Sequence, residues 1–354
     1  MKEEIRSAAE GKENSIAFSR NPLPKTPLVI EGEVFQVIMM GGSHLESVKV
    51  RVIGKSVEIL DFHEEDLPKL SNKEIVCSIF AKHLLPGVKV VSFNFAYPLE
   101  AVEREGFLDG VLLAAPKEHR FDGLIGKTIG QEIELYIKSK LQREVKITVS
   151  NDTTALGMAS IDCESGYDWS NTMVGVIGTG INFGLFEDAH SFINLESGNF
   201  DKFEQTPEGK TIDQVSNDPG FHKFEKEISG GYLCKHFNLI AQEKGLSKII
   251  KTTQELSEIA AGESEESWTA RSVIERSASL AAVQIKGIYD YKRELLGVSN
   301  DFQMLALIEG SLYWKGYHYK EYVNKYLELF GILDSIKVVH IDKVGIVGSA
   351  KLAA

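Results

Sequence analysis

The residues able to do chemistry cluster where apolar runs stop. "VKITVSNDTTA" carries Asn151 and Asp152 where a β-branched run ends and a helix-forming run begins. A carboxylate just past the carboxyl end of a buried strand points at the place where α/β sheets bind ligands, and there it can take a proton or orient a hydroxyl. The same pair can simply cap a helix, and both readings stand at this level. "VGVIGTGINFG" sets Gly178, Thr179 and Gly180 between two strand-like runs. Backbone amides and the Thr179 hydroxyl can wrap a phosphate there, although the spacing is neither a P-loop nor a dinucleotide fingerprint, and a plain turn has the same composition. "VIMMGGSHLESVKV" repeats the design with Gly41, Gly42 and Ser43, but its first strand ends in Met39-Met40, where a magnesium-dependent phosphate site wants a carboxylate. "EGSLY" and "VGIVGSAKLAA" place Gly310, Ser311, Gly348 and Ser349 in small-residue loops between strand and helix. A helix N-terminus favours an anionic group, with capping as the alternative. The nine histidines are scattered along the chain, which argues against a metal site built on histidine.

These residues need elements to hold them. Three strand-like runs, "EVFQVIMM", "ESVKVRVI" and "SVEILDF", are joined by Gly-Gly-Ser and Gly-Lys turns. A helical stretch over 72–85 leads to the apolar strand "VKVVSFNFAYP", and an amphipathic helix over 123–141 leads to the strand that ends at Asp152. A second cycle then begins: "TTALGMASI" reads as helix, "NTMVGVIGTGINFGLFED" as strand, Gly-rich turn and strand, and "HSFINLE" as a third strand. The chain therefore contains two similar halves, one around Gly41-Gly42-Ser43 and one around Gly178-Thr179-Gly180. The remainder is mostly amphipathic helix, at 224–245, 252–262 and 268–293, closed by a strand–loop–helix section. The pattern predicts an α/β architecture of two lobes with a cleft between them.

Composition narrows the class. The chain has 354 residues, 43% hydrophobic and 25% charged, in keeping with a soluble globular protein. No apolar run approaches the roughly 18–20 residues of a membrane span, and the charged start "MKEEIRSAAEGKENS" lacks the apolar core of a secretory signal. A net charge of −12 argues against nucleic acid as a partner, while leaving room for a nucleotide held by local amides. Cys77, Cys163 and Cys234 show neither a disulfide framework nor zinc spacing, which favours a reducing, cytoplasmic setting.

Taken in order, the proline-rich entry, the first glycine hairpin, "FNFAYP", a Lys-bearing loop, "NDTT", "GTGIN", "NLESGNF", "FEKEISGGYL", "ERSASLAA", "EGSLY" and the closing Gly-rich turn resemble the hexokinase family over nearly the whole chain. The resemblance implies the two-lobed actin-like ATPase (ribonuclease H-like) fold. It divides the chain into an N-terminal segment on the large lobe (1–32), a small lobe (33–149), a large lobe (150–343) and the start of a C-terminal helix returning toward the small lobe (344–354). The chain is short for the family. The resemblance further implies ATP with Mg2+ and a hexose, glucose by default. Asp152 would be the base for the sugar's primary hydroxyl, and Lys117 a nearby cationic donor. Asn151, Asn182, Glu196 and Glu225, with Tyr97 and Pro98 of "AYP", would contact the sugar. Gly41, Gly42, Ser43, Gly178, Thr179, Gly180, Gly310, Ser311, Gly348 and Ser349 would face the nucleotide. No protein metal ligand, membrane or nucleic-acid partner is implied.

Three positions depart from the family's pattern. Met39 stands where the family has the Asp of Asp-Leu-Gly-Gly-Thr, Ala96 where it has the Ser of Ser-Phe-Pro, and Pro116 where it has the Thr of Thr-Lys. Each lost sugar hydrogen bond would cost about 0.5–3 kcal/mol, depending on whether water can serve the orphaned partner. These losses fall within 33–149, while the later motifs are nearly intact. Two readings follow: a hexose kinase, or one for an amino sugar or other polyol; and a catalytically impaired sugar- or nucleotide-binding sensor or scaffold.

Overall fold

The computed structural model describes residues 1–41, 44–114, 120–298 and 301–354. They form two compact units. The hairpin unit comprises Ser19–Trp169, Phe186–Ile193 and Ile341–Ala354; the helical unit comprises Met1–Phe18, Ser170–Leu185 and Asn194–His340.

In the hairpin unit, β1 (Ser19–Pro22) precedes β2 (Val34–Gly41), β3 (His44–Ile53), β4 (Ser56–Asp66), β5 (Val90–Phe95), the hairpin β6 (Leu99–Arg104) and β7 (Phe107–Leu112), and β8 (Lys146–Ser150). Five of them make one sheet in the order β4-β3-β2-β5-β8. β2 runs antiparallel to β3 and parallel to β5, and β5 runs parallel to β8. Alternation then sends side chains to two cores. Ile38, Met40, Leu45, Phe93 and Phe95 face the Lys73–His83 and Ile129–Leu141 helices, through Phe80, Ile133 and Ile137. Phe35, Val37, Val48, Val50 and Val90 face the Val344–Ala353 helix through Ile346 and Ala350.

The residue after β8, Asn151, caps the Asp152–Ser160 helix by accepting a hydrogen bond from the Thr154 amide at 2.8 Å. That helix packs on Val344–Ala353 so closely that a Cβ at Gly348 would stand 1.7 Å from the Ala155 carbonyl oxygen. Leu28 and Val29 both donate backbone bonds to the Ala353 carbonyl. Residues 19–32 and 150–169 therefore sit with the hairpin unit, whereas the sequence reading divides the chain at 32, 149 and 343.

The helical unit carries β9 (Thr172–Ile177), the first five residues of β10 (Ile181–Asp188), β12 (Met304–Glu309) and β13 (Ile336–Val339), while the end of β10 and nearly all of β11 (Ser191–Asn194) are counted with the hairpin unit. β9 runs antiparallel to β10 and parallel to β12, and β12 runs parallel to β13. The repeat read in the sequence is thus present as topology: each glycine hairpin has its first strand paired in parallel with a later strand. The stretch over 224–245 is not one helix. It breaks into Lys223–Ile228 and Leu233–Glu243, because Gly230 and Gly231 donate their amides to Gly178 and Thr179 instead of continuing a helical ladder. The N-terminal Lys2–Ala9 helix lies on Glu265–Leu295, with Lys2 and Arg6 both paired to Glu294. Among the described residues, no helix is long and apolar enough to cross a membrane.

Gly348→Ala tests the helix contact. The added methyl meets backbone rather than a movable side chain, so the overpacking cost of about 1–3 kcal/mol outweighs the better helix propensity of Ala. Chemical denaturation should show a lower midpoint at unchanged slope; equal or higher stability would show that the two helices separate freely.

Candidate functional site

In the helical unit the Gly178-Thr179-Gly180 turn is tied on several sides. Gly178 donates to the Gly180 carbonyl at 3.0 Å, Gly230 to Gly178 at 2.8 Å and Gly231 to Thr179 at 2.9 Å, while the Thr253 hydroxyl donates to Gly230 at 2.5 Å. Gly310 closes the far side: its φ of +117° is open only to glycine, and a Cβ there would stand 2.3 Å from the Ile177 carbonyl oxygen. Beside this clamp is a cavity of about 710 Å³ whose lining includes Gly178, Thr179, Gly230, Lys251, Ser311 and Lys315. Amides, hydroxyls and two ammonium groups suit a phosphorylated ligand. Cys234 also lines it, but burial pushes its thiol up and leaves it a poor nucleophile. The sequence reading named Gly178, Thr179 and Ser311 for such a role. It missed Gly230, Lys251 and Lys315, of which the Ser-Gly-Gly of "EISGGYL" alone carried a local signal.

Next to Gly180 the structure gathers three residues expected around a sugar. Asn182 donates through Nδ2 to Asn194 Oδ1 at 2.7 Å, and its own Oδ1 accepts from the Phe183 amide at 2.8 Å and the Ser197 amide at 3.1 Å. Asn194 in turn donates to Glu196 Oε1 at 2.7 Å. Glu196 has a φ of +46°, a backbone conformation costing a non-glycine residue about 1–3 kcal/mol and often kept at binding sites. Glu225 reaches the same place because glycines make room. Its Oε2 lies 3.3 Å from where a Gly180 Cβ would be, and its Cβ lies 3.2 Å from that of Gly198. Beneath it, buried Lys226 pairs with Asp213 at 2.8 Å and Asp218 at 3.0 Å. Burial alone would lower the Lys226 pKa, but the two carboxylates hold it above its usual value. A charged anchor thus fixes the turn of helix that presents Glu225. Two carboxylates and two amides held in fixed directions can recognise several hydroxyls at once. Asn194, which aligns Glu196, was missed; its signal was a polar residue inside the apolar run "SFINLE".

In the hairpin unit, Asn151 is the helix cap and Asp152 the exposed residue after it, with Oδ1 accepting from the Thr153 amide at 2.7 Å. Capping and an open carboxylate are therefore divided between the two residues. Gly41 ends β2 against Ala96, where a Cβ would come within 2.4 Å of the Ala96 methyl. Pro98 is exposed, but the Tyr97 ring is buried between Phe95 and Phe121, with centroids at 4.5 and 4.8 Å, and burial pushes its phenol to about 12. Tyr97 is a core side chain. Gly348 and Ser349 are helical rather than in a loop. They lie inside the Val344–Ala353 helix, beyond its free amides, with Gly348 against Ala155 and Ser349 buried and accepting from Asn94 Nδ2 at 3.4 Å. Gly42, Ser43, Pro116 and Lys117 lie outside the described residues.

Met39 packs on the same helix, its methyl 2.5 Å from where a Gly345 Cβ would stand. Directly across the strand pair is Glu46, and across from that Glu64. Burial, and then the charge of Glu64, push the Glu46 carboxyl above its usual range. An acid is thus present on this sheet face, one strand away from the position where the sequence reading misses one.

Comparison with known proteins supplies the family. Hexokinase-3 of Rattus norvegicus is 26% identical over 263 residues, covering 66% of this chain and 28% of that protein. The chain spans half or less of the curated relatives it matches, from 28% to 50% of their length. Among solved structures, the hexokinase from Schistosoma mansoni complexed with glucose superposes with a TM-score of 0.77 at 19% identity, covering 100% of this chain and 92% of that one. A ROK family glucokinase from Streptomyces griseus in complex with glucose and AMPPNP gives 0.57 at 17% identity, covering 91% and 99%. At such identities the likeness is one of fold. The family model for hexokinase matches residues 173–265 and 238–354, more than half of the sequence, and the chain belongs to the hexokinase family.

Proposed function

We propose that the chain is an ATP-dependent hexose kinase, with glucose as its default acceptor and a hexose 6-phosphate as product. The observation that carries this reading is the cluster of Asn182, Asn194, Glu196 and Glu225 built beside a glycine turn whose cavity is lined by amides, hydroxyls and lysines. A polyol-recognising set and a phosphate-recognising set within one unit suit an enzyme that joins the two ligands. The reaction is in-line: the sugar oxygen forms a bond to the γ-phosphorus as the bond to ADP breaks, and Asp152 takes the hydroxyl proton. Asp152 is suited to this because it is exposed and its carboxylate is oriented by the Thr153 amide. Magnesium enters with the nucleotide as part of the substrate, held chiefly by phosphates and waters.

A second reading, a sugar- or nucleotide-binding sensor, is favoured by Met39, whose side chain belongs to the core against Gly345 and Ile346 rather than to a polar site.

Purified protein with magnesium-ATP and a panel of hexoses, amino sugars and polyols separates the readings. Sugar-dependent ADP release should fall at least about 100-fold in Asp152→Asn. Wild-type release no higher than that of the variant sinks the kinase reading, and calorimetric binding of sugar or nucleotide would then support the sensor. Glu225→Gln should weaken sugar binding by about 1.5–3 kcal/mol, roughly 10–100-fold, the usual worth of a hydrogen bond to a charged group. AMPPNP affinity should stay the same; equal loss of both ligands would mean a folding defect. Met39→Asp should raise turnover if the missing acid limits phosphoryl transfer, at some cost in melting temperature. Unchanged turnover in a folded variant would mean that the acid is not the defect.

A further inference from the structure

Two of the histidines scattered along the sequence meet in space. β4 is the edge strand of the five-stranded sheet and is largely exposed. Two of its residues on one face, His63 and Glu65, meet His83 from the last turn of the Lys73–His83 helix. His83 Nε2 lies 2.9 Å from Glu65 Oε1, His63 Nε2 lies 3.6 Å from Glu65 Oε2, and one donor atom from each residue lies within 4.8 Å of the others. The two imidazole rings stack at 5.6 Å, tilted by 21°. A tetrahedral ion with bonds near 2.0–2.2 Å needs donors about 3.3–3.6 Å apart. The observed separations bracket that spacing, so an ion could be seated by side-chain adjustment alone.

The scaffold beneath is firm. The backbone carbonyl of His83 accepts from Gln36 Nε2 at 2.7 Å and from Ser47 Oγ at 3.4 Å, and Gln36 Oε1 accepts from the Leu85 amide at 3.0 Å. Gln36 and Ser47 are buried, and Ser47 stands directly opposite His63 in the β3–β4 pair. One buried amide clamp thus fixes the helix end that presents His83 to β2 and β3, and β3 pairs with the strand that presents His63 and Glu65. Donor chemistry, two neutral imidazole nitrogens and one carboxylate oxygen, suits a borderline divalent ion of the zinc class rather than magnesium or calcium, which prefer all-oxygen sets.

We propose that His63, Glu65 and His83 form a binding site for a zinc-class divalent cation on the outer edge of the hairpin unit. Three protein ligands leave at least one position for water, so the site is open rather than closed. Lys82 sets its strength. Its ammonium donates to both oxygens of Glu65, at 2.9 and 3.1 Å, and competes with the metal for the same carboxylate.

That competition gives the test a direction that a purely structural ion-pair cluster lacks. Tag-free, nucleotide-free full chain is titrated with zinc by calorimetry and with cobalt(II) by visible absorption. One ion per chain should bind, with ligand-field bands appearing for cobalt. His63→Ala, which alters an exposed side chain, should weaken binding at least about tenfold, as should Glu65→Gln. Lys82→Ala should strengthen it several-fold. Circular dichroism checks that the variants fold. The absence of saturable binding, or binding unchanged by His63→Ala in a folded protein, overturns the proposal. A Lys82→Ala variant that binds no tighter than wild type removes the role given to Lys82.

Discussion

Two backbone hydrogen bonds, Gly230 to the Gly178 carbonyl and Gly231 to the Thr179 carbonyl, hold the arrangement of the helical unit. They are made at the expense of a helix: the amides that dock the glycine turn are unavailable to a ladder running from Lys223 to Glu243. The interruption is also what aims Glu225. Its helix ends with the Ser229 amide donating to the Glu225 carbonyl, so the residue five places before Gly230 is set against Gly180 and Gly198. Glu196, on a backbone of positive φ, completes the same patch through Asn194. Local helical stability has been exchanged for a defined position of three polar side chains, the kind of local conflict that marks functional sites.

The two glycine hairpins share a construction beyond their strand pairing. In each, the glycine at the end of the first strand touches the residue just after the strand paired in parallel with it: Gly41 meets Ala96 after β5, and Gly178 meets Gly310 after β12. The contact permits only very small residues on both sides. A Ser at position 96 would add a hydroxyl to a methyl already in tight register with Gly41. The hairpin unit thus has the same backbone form at its glycine turn as the helical unit.

The parts of the fold most legible in the sequence were those with local signals. Alternating apolar runs around glycine turns gave the twin hairpins, and a β-branched run stopping at Asn151-Asp152 gave the end of β8 and the helix after it. The order of motifs, rather than any one of them, gave the family. What stayed hidden depends on contacts between distant segments. The β6–β7 hairpin was passed over because acids interrupt its alternation. One of these, Asp109, is buried where Arg104 and the Gly110 and Gly130 amides satisfy it. Gly348 was read as a loop glycine because small residues near a terminus suggest a turn; only the Ala155 carbonyl beneath it shows that it is a packing glycine within a helix. Tyr97 belonged to a motif, but its neighbours Phe95 and Phe121 draw the ring inward. His63, Glu65 and His83 come together only because an edge strand passes the end of a helix some twenty residues later in the chain.

Met39 joins these themes. On the sheet face toward the Val344–Ala353 helix, the row Met39, Glu46, Glu64 crosses three strands, so an apolar residue and two acids share one surface. An acid at position 39 would be the third carboxylate in that row and would sit against the glycine that opens the helix. With methionine there, the helix packs on an apolar side chain and like-charge repulsion stops at two. Lys343 answers that charge, since its attraction opposes the upward push on the Glu46 carboxyl, while its ammonium also lies 4.0 Å from the centre of the Phe62 ring. Met39 is therefore tied to its surroundings. Met39 fits both the helix contact and the charge of its strand neighbours, and exchanging it alone would disturb both.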